Sequence, residues 1–384
     1  MLQSLARRRR MLLLTVILLI TFSLLALSVS ACGTPSFDAK AQAELDRVME
    51  KVMEANQLPG AVVGVWVPGQ GTWIAAKGKA DVETDRAMKT TDKFRIASIT
   101  KTFTSNMVLQ LADEGKIELD DRLDKYLPEI PFSDQITIRQ LLNHTSGIID
   151  DNDSVDDIVD ADPLKKWEPM EVVEAYTGGE LGEEPGKQIN YSNAGYIILG
   201  MVIEKVSGDT VENVLQEKIA RPLGLENTYF PEGPDISGDY AHGYDGTEDV
   251  THIDMSWDWT AGAMISTLDD LKIWAKVFTE GELLSDEMHE EQLTLVDFPK
   301  GRGQIKYGLG TYYEFGFLGH DGADLGYQSD MMYYPEQEAT IIILFNKLSE
   351  DLSDLNATEK AFVGIAGIVL PGAIPEWYTE AFEE

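Results

Sequence analysis

The chain has 384 residues, of which 66 are acidic and 31 basic, for a net charge of −35. So negative a surface repels nucleic acid and anionic lipid head groups, and it suits a heavily hydrated domain with room for a large core or two lobes. A single cysteine rules out an intramolecular disulfide.

Residues 1–31 read as a targeting segment. Arg7 to Arg10 are a basic cluster, and Met11 to Ala31 is apolar and uncharged. Val29-Ser30-Ala31-Cys32 then offers small residues followed by the lone cysteine, which resembles the lipobox of bacterial lipoproteins. That resemblance implies cleavage before Cys32, lipid on Cys32, and a lipid-anchored protein outside the cytoplasm. The alternative is an uncleaved transmembrane anchor, since the run is long enough to span a bilayer. Export by the twin-arginine route rather than the general one stays open. The segment removes four arginines and no acid, so the remainder is still more acidic.

Residues 32–37 form a tether. From Phe37 to Asn56 the apolar positions Ala41, Leu45, Val48, Met49 and Val52 keep a helical period, and Pro59-Gly60 stops it. Ala61–Val67 and Thr72–Ala76 read as strands joined at Pro68-Gly69-Gln70-Gly71. The middle is mostly helical. Ser98–Glu114 carries Ile99, Phe103, Met107 and Leu111 on one stripe, Ile136–Leu142 leads into Asn143-His144-Thr145-Ser146-Gly147, and Asn193–Val206 is apolar. Ser266-Thr267 followed by acids marks the start of a helix over Leu268–Phe278. Tyr307–Tyr313, Leu325–Tyr334 and Ala339–Asn346 read as strands, and about 354–368 as a last helix. Seven aspartates between Asp150 and Asp162 read as a solvated loop; an EF-hand would need a glycine and a closing glutamate that are not there.

Strands at both ends with helices between them predict an α+β fold of three αβα layers: an antiparallel sheet built from both chain ends, flanked by the terminal helices. The domain spans 38–384, with a sheet lobe at about 38–97 and 300–384 and an inserted helical lobe at about 98–299.

Three short motifs carry chemistry. Ser98 and Lys101 stand three residues apart at a helix start, nearly one turn, so they share a face. A desolvated lysine of lowered pKa can take a serine's proton and make it a nucleophile. Tyr191-Ser192-Asn193 follows Pro185-Gly186, and His320-Asp321-Gly322 sits between predicted strands, followed by Ala323. Together they supply a nucleophile, a second proton-handling group, an amide, and a glycine-bearing strand edge, the parts of an acyl-transfer site.

With Leu141–Gly147, Pro222-Leu223-Gly224-Leu225 and Ala261–Thr267 in the same order, the chain resembles the serine penicillin-recognising enzymes, in the branch of class C β-lactamases and D-alanyl-D-alanine carboxypeptidases. The resemblance implies a β-lactamase/transpeptidase-like fold and an acyl-enzyme mechanism. In it Ser98 is the nucleophile, Lys101 its base, and Tyr191 the group that protonates the leaving group. Asn193 holds the substrate amide and orients Lys101. His320 replaces the lysine of the commoner Lys-Thr-Gly motif and, if charged, lowers the pKa of Tyr191. Gly322 admits the substrate, and the N–H groups of Ser98 and Ala323 form the oxyanion hole. It calls for no metal or cofactor. His144 reads as structural. Asp321 stands where many relatives have threonine or serine, which predicts repulsion of a substrate carboxylate. The expected substrate is a small molecule or a peptidoglycan-derived one, a D-amino-acid peptide or a β-lactam; the alternatives are an esterase, a D-aminopeptidase, or a silent binding protein. The oligomeric state stays open.

Overall fold

The computed structural model describes residues 35–298, 305–349 and 356–378; Cys32 and the targeting segment lie outside them. Among the described residues, nine strands form one sheet. They are β1 (Gly60–Val67), β2 (Gly71–Asp81), β3 (Arg86–Ala87), β4 (Val296–Asp297), β5 (Lys306–Tyr307), β6 (Tyr312–Glu314), β7 (Phe317–Asp324), β8 (Tyr327–Tyr334) and β9 (Ala339–Phe345), in the order β3-β2-β1-β9-β8-β7-β6-β5-β4. The pairings are antiparallel, and β1 joins the two ends of the chain by pairing with β9, Ala61 opposite Phe345.

Both faces of the sheet are covered. All eight residues of β1 are buried. Val62 turns into a core shared with the helices of the middle, whereas Ala61, Val63, Val65 and Val67 turn into a second core. That two-sided burial is why β1 reads as an unbroken apolar run rather than an alternating one. Two helices cover the outer face: α1 (Ala39–Ala55) with Leu45, Met49 and Val52, and α6 (Ala357–Val369) with Phe362, Ile365 and Val369. Asp38 caps α1 by accepting from the N–H groups of Lys40 and Ala41, and Asn356 with Glu359 closes a capping box on α6.

The inner face receives α2 (Thr100–Asp113), α3 (Asn152–Ala161), α4 (Asn193–Ser207) and α5 (Leu268–Thr279). Two expectations are corrected. The aspartate-rich segment is not a loop: it is α3, capped by Asp151, with Val155 and Val159 buried four residues apart. Its acids occupy the solvent side, and among the described residues no group of three His, Cys, Asp or Glu is placed to hold a metal ion. His320-Asp321-Gly322 does not lie between strands either. It lies within β7, where all three residues pair with β8, while β6 pairs with Phe317–Gly319 just before the motif.

Candidate active site

Ser98 occupies a short 3-10 turn, Ala97–Ile99, that runs into α2. Ala97 takes a positive φ of 47°, a conformation that costs a residue with a Cβ and that clusters at functional turns. Ser98 is part-exposed, whereas Lys101, one turn on, is fully buried. Its Nζ donates to Ser98 Oγ at 3.0 Å, Asn193 Oδ1 at 2.8 Å and the Ala261 carbonyl at 2.9 Å. Three acceptors match the three donors of an ammonium and fix the amine beside the hydroxyl. Burial lowers its pKa to about 8, against the opposing pull of Asp258 and Asp150.

Asn193 is the first residue of α4. Ser192 caps this helix, and its hydroxyl donates to Asp150 Oδ1 at 2.7 Å, while the N–H groups of Asn193 and Ala194 donate to Asp150 Oδ2. Asp150 therefore anchors the helix end that presents Asn193 to Lys101. Burial raises its carboxyl to about 6 despite those donors.

Tyr191 is also brought to the nucleophile. Its hydroxyl is near enough to Ser98 for that side chain to pull its pKa down slightly, and Lys101 Nζ lies 4.7 Å from its ring centroid. Burial drives its pKa well above the ordinary phenol value, so it is a neutral phenol and not a phenolate. His144 stacks on it at 4.3 Å between centroids, and its Nδ1 accepts the N–H of Ser192 at 3.1 Å. Buried and held neutral, His144 positions Tyr191 and does not touch Ser98 Oγ or Lys101 Nζ.

The two neighbours in β7 part company. His320 points to the inner face, 6.2 Å from the Tyr191 ring, but it is not a cation. Its Nδ1 lies 2.6 Å from the carbonyl of Asp321, which can only accept, so Nδ1 carries the hydrogen and Nε2 accepts from the Tyr307 hydroxyl at 3.0 Å. Burial lowers its pKa to about 3. The expected charged histidine that depresses the Tyr191 pKa is therefore corrected: burial outweighs any gain from charging the ring, and the phenol is not acidified.

Asp321 points to the outer face. It sits opposite Asp330 of β8 in a cavity of about 180 Å³ beneath α6, with Glu314 and Glu359. The pleat alternates, so neighbours of His320 and Gly322 must face away from them. Asp321 is thus on the wrong side of the sheet to meet a substrate carboxylate at Ser98, and the expected direct repulsion from it is corrected. Gly322 returns to the inner face. A Cβ there would meet the Ile96 carbonyl oxygen at 2.5 Å, Ser329 Oγ at 2.4 Å and the Ala97 Cβ at 3.1 Å, so β7 lies directly against the Ser98 turn only because this residue is glycine. Ser98, Asn193 and Ala323 all border one cavity of about 350 Å³.

Sequence reasoning missed Asp150, Ala261, Asp258 and Asp324 in this site. Asp150 was legible only as one of seven aspartates, although it stands 42 residues before a serine-led helix that needs a cap. The Ala261 contribution is a backbone carbonyl, which leaves no mark on side-chain identity.

A family model described as Beta-lactamase matches residues 45–364. Over 348 residues the chain is 27% identical to Protein flp of Staphylococcus aureus (strain N315), covering 85% of this chain and 69% of that protein. It is 28% identical over 343 residues to Penicillin-binding protein 4* of Bacillus subtilis (strain 168), covering 83% and 74%. Among solved structures, a D-stereospecific amidohydrolase from Streptomyces sp. superposes with a TM-score of 0.74 at 28% identity, covering 86% of this chain and 98% of that one. With Ser98, Lys101 and Tyr191 in mutual contact within this fold, the chain belongs to the Beta-lactamase family and is a serine hydrolase.

Proposed function

We propose that the protein hydrolyses amide bonds of D-amino-acid derivatives and peptides through an acyl-enzyme on Ser98, outside the cytoplasm, tethered by lipid on Cys32. The observation that carries the chemistry is Lys101 Nζ, 3.0 Å from Ser98 Oγ with a pKa near 8. At pH 7 roughly one molecule in ten holds that amine neutral and ready to accept a proton. Ser98 Oγ attacks the carbonyl carbon as its proton passes to Lys101. The N–H groups of Ser98 and Ala323 take the developing oxyanion, a contribution of about 3 kcal/mol per donor in comparable sites. Tyr191, a neutral phenol on Ser98, relays a proton to the departing amine and is recharged from Lys101. Water then enters along the same path, with Lys101 and Tyr191 as its base, and releases the acid. Asn193 holds the amide next to the bond and keeps Lys101 aimed.

The likeness to a D-stereospecific amidohydrolase supports D-configured substrates. The likeness to a penicillin-binding protein supports a second reading, capture of β-lactams or peptidoglycan stems. The basic cluster, apolar run and Cys32 support the anchored location; no helix among the described residues is long and apolar enough to cross a membrane.

Intact-protein mass spectrometry after a fluorophosphonate, a labelled penicillin and a D-alanine amide series tests this. A fluorophosphonate adduct on Ser98, with turnover of D- over L-amides, is expected. A Ser98→Ala protein that keeps wild-type turnover overturns the mechanism, and a stable penicillin adduct without amide turnover favours the second reading.

A further inference from the structure

Among the described residues, the cavity in front of Ser98 is lined by five aspartates, Asp156 and Asp160 from α3 together with Asp245, Asp258 and Asp324, and by no lysine, arginine or histidine. Two buried cations act on its acids: Lys101, whose Nζ is taken up by Ser98, Asn193 and Ala261, and Arg95, whose Nη2 donates to the carbonyls of Pro234, Thr251 and Ile253. Lys101 attracts Asp258 and Asp324 through space, Arg95 attracts Asp324, and neither cation borders the cavity.

Two further features mark a ligand position. Asp258 is only 5% exposed, and its Oδ1 finds no donor among the described residues; nor does Oδ2 of Asp324. Burial raises the Asp258 carboxyl, and burial together with the charge of Asp258 pushes Asp324 well above the usual carboxylate range, so both carboxyls bear a desolvation cost that a cationic donor would relieve. Independently, Trp257 borders the same cavity, is 6% exposed, and has an indole N–H with no acceptor among the described residues. Buried donors and acceptors left without partners are rare in folded proteins and mark a place for a ligand. Here the missing partner of the carboxyls is a donor, and a positively charged one offsets their burial best.

We infer that this cavity is a subsite for a cationic acyl group: the preferred substrate carries an ammonium on the acyl side of the scissile bond, seated against Asp258 and Asp324, with Asp156 and Asp160 drawing it in. The inference rests on the acyl-enzyme reading of Ser98 and narrows it to one charge class. A free α-ammonium on a D-aminoacyl amide meets the requirement, and so does an amine-bearing side chain. An N-acylated or carboxylate-bearing acyl group does not.

The test compares D-alanine p-nitroanilide with N-acetyl-D-alanine p-nitroanilide, which share a leaving group, at pH 7 and fixed ionic strength. The wild type should favour the free amine by tenfold or more in kcat/KM, and raising the salt should narrow that ratio. Asp258→Asn should bring the ratio toward one through KM of the free-amine substrate. A general effect on Lys101 would move both substrates alike and leave the ratio unchanged. If Asp258→Asn does not fold, the Asp156→Asn/Asp160→Asn double variant on exposed α3 positions decides: a several-fold fall in the ratio is expected. Equal or better turnover of the acetylated substrate by the wild type overturns the inference, as does a ratio that stays fixed in the folded variants. Fluorophosphonate labelling of Ser98 is read in parallel. Labelling without charge preference sinks the subsite alone, whereas absence of labelling sinks the acyl-enzyme reading beneath it.

Discussion

His320 and Asp321 are adjacent in sequence and lie in different environments. On the inner face of β7, His320 and Gly322 border a compact polar site whose reacting and supporting groups are held by matched partners: Lys101 with three acceptors, Ser192 and two N–H groups on Asp150, His320 between Asp321 and Tyr307. On the outer face, Asp321 joins Glu314, Asp330 and Glu359 around a small cavity where like charges are gathered and Asp330 Oδ1 has no donor among the described residues. The inner arrangement sets protonation states for chemistry. The outer one concentrates carboxyls that burial makes harder to ionise. A motif read as a string of letters merges the two, whereas the pleat of the strand separates them.

The largest expected contrast comes from removing the inner amine. Lys101→Ala should lower kcat/KM for any accepted amide or ester by about 10³–10⁵-fold, because the nucleophile then has no base and groups that act as a unit fail together. Steady-state rates on the purified folded variant give the answer. A loss under tenfold would mean that Ser98 is activated by another group, with Tyr191 the first to suspect.

The pH dependence sharpens the same contrast. Burial lowers Lys101 to about 8, and the active form is the neutral amine, so kcat/KM for a substrate with no ionisable amine should rise with pH and level off above about 8. His320 is already neutral throughout this range, so no second limb near 6 to 7 is expected from it. A profile that falls between pH 6 and 8 would require a protonated base and would overturn the assignment.

Most of the inner machinery was legible in the sequence because it is local. Ser98 and Lys101 share one helical turn, and Tyr191 to Asn193 share one helix start. What was not legible depends on chain distant in sequence, or on backbone. The Ala261 carbonyl reaches Lys101 across 160 residues. The Asp258–Asp324 pair is made by two segments that neither composition nor period connects. Helix α3 passed for a loop because aspartate is a weak helix former, yet Val155 and Val159 already carried the i, i+4 signal. Strand β7 passed for a connection because Gly319, His320, Asp321 and Gly322 have low strand propensity, and the unbroken ladder with β8 overrides that preference.

A moderate effect is expected on the outer face, in stability rather than rate. Desolvation raises Glu314 and Glu359 to about 7, and it raises Asp330 further with help from Asp321, Glu359 and Glu314. These folded-state values exceed the unfolded ones, so the folded state holds protons that the unfolded chain releases. The resulting stability is full below pH about 4.3 and is lost as pH rises through about 7. Glu359→Gln keeps the acceptor for the Asn356 N–H and removes the charge. It should stabilise the protein by about 1–2 kcal/mol at pH 8 and by little at pH 4.5. Denaturant unfolding at the two pH values measures this. Equal effects at both would show that the charge is not what burial opposes.

The smallest expected effect is also the sharpest test of the separation between faces. Were Asp321 in the substrate cleft, Asp321→Thr would improve substrates ending in a free carboxylate by about tenfold relative to capped ones, the change that 1.4 kcal/mol gives. With its carboxyl on the outer face, Asp321 reaches the inner site only through His320, whose Nδ1 lies 3.6 Å from its Oδ1, and the ratio of kcat/KM for a free-acid and a capped pair should shift less than about twofold. Asp258→Asn, in the cavity that holds Ser98, should move the same ratio further toward the free acid. Measuring both variants at one ionic strength compares the two faces directly. If Asp321→Thr produces the larger shift, β7 presents Asp321 to the substrate in solution, and the outer cavity is not where that side chain resides during turnover.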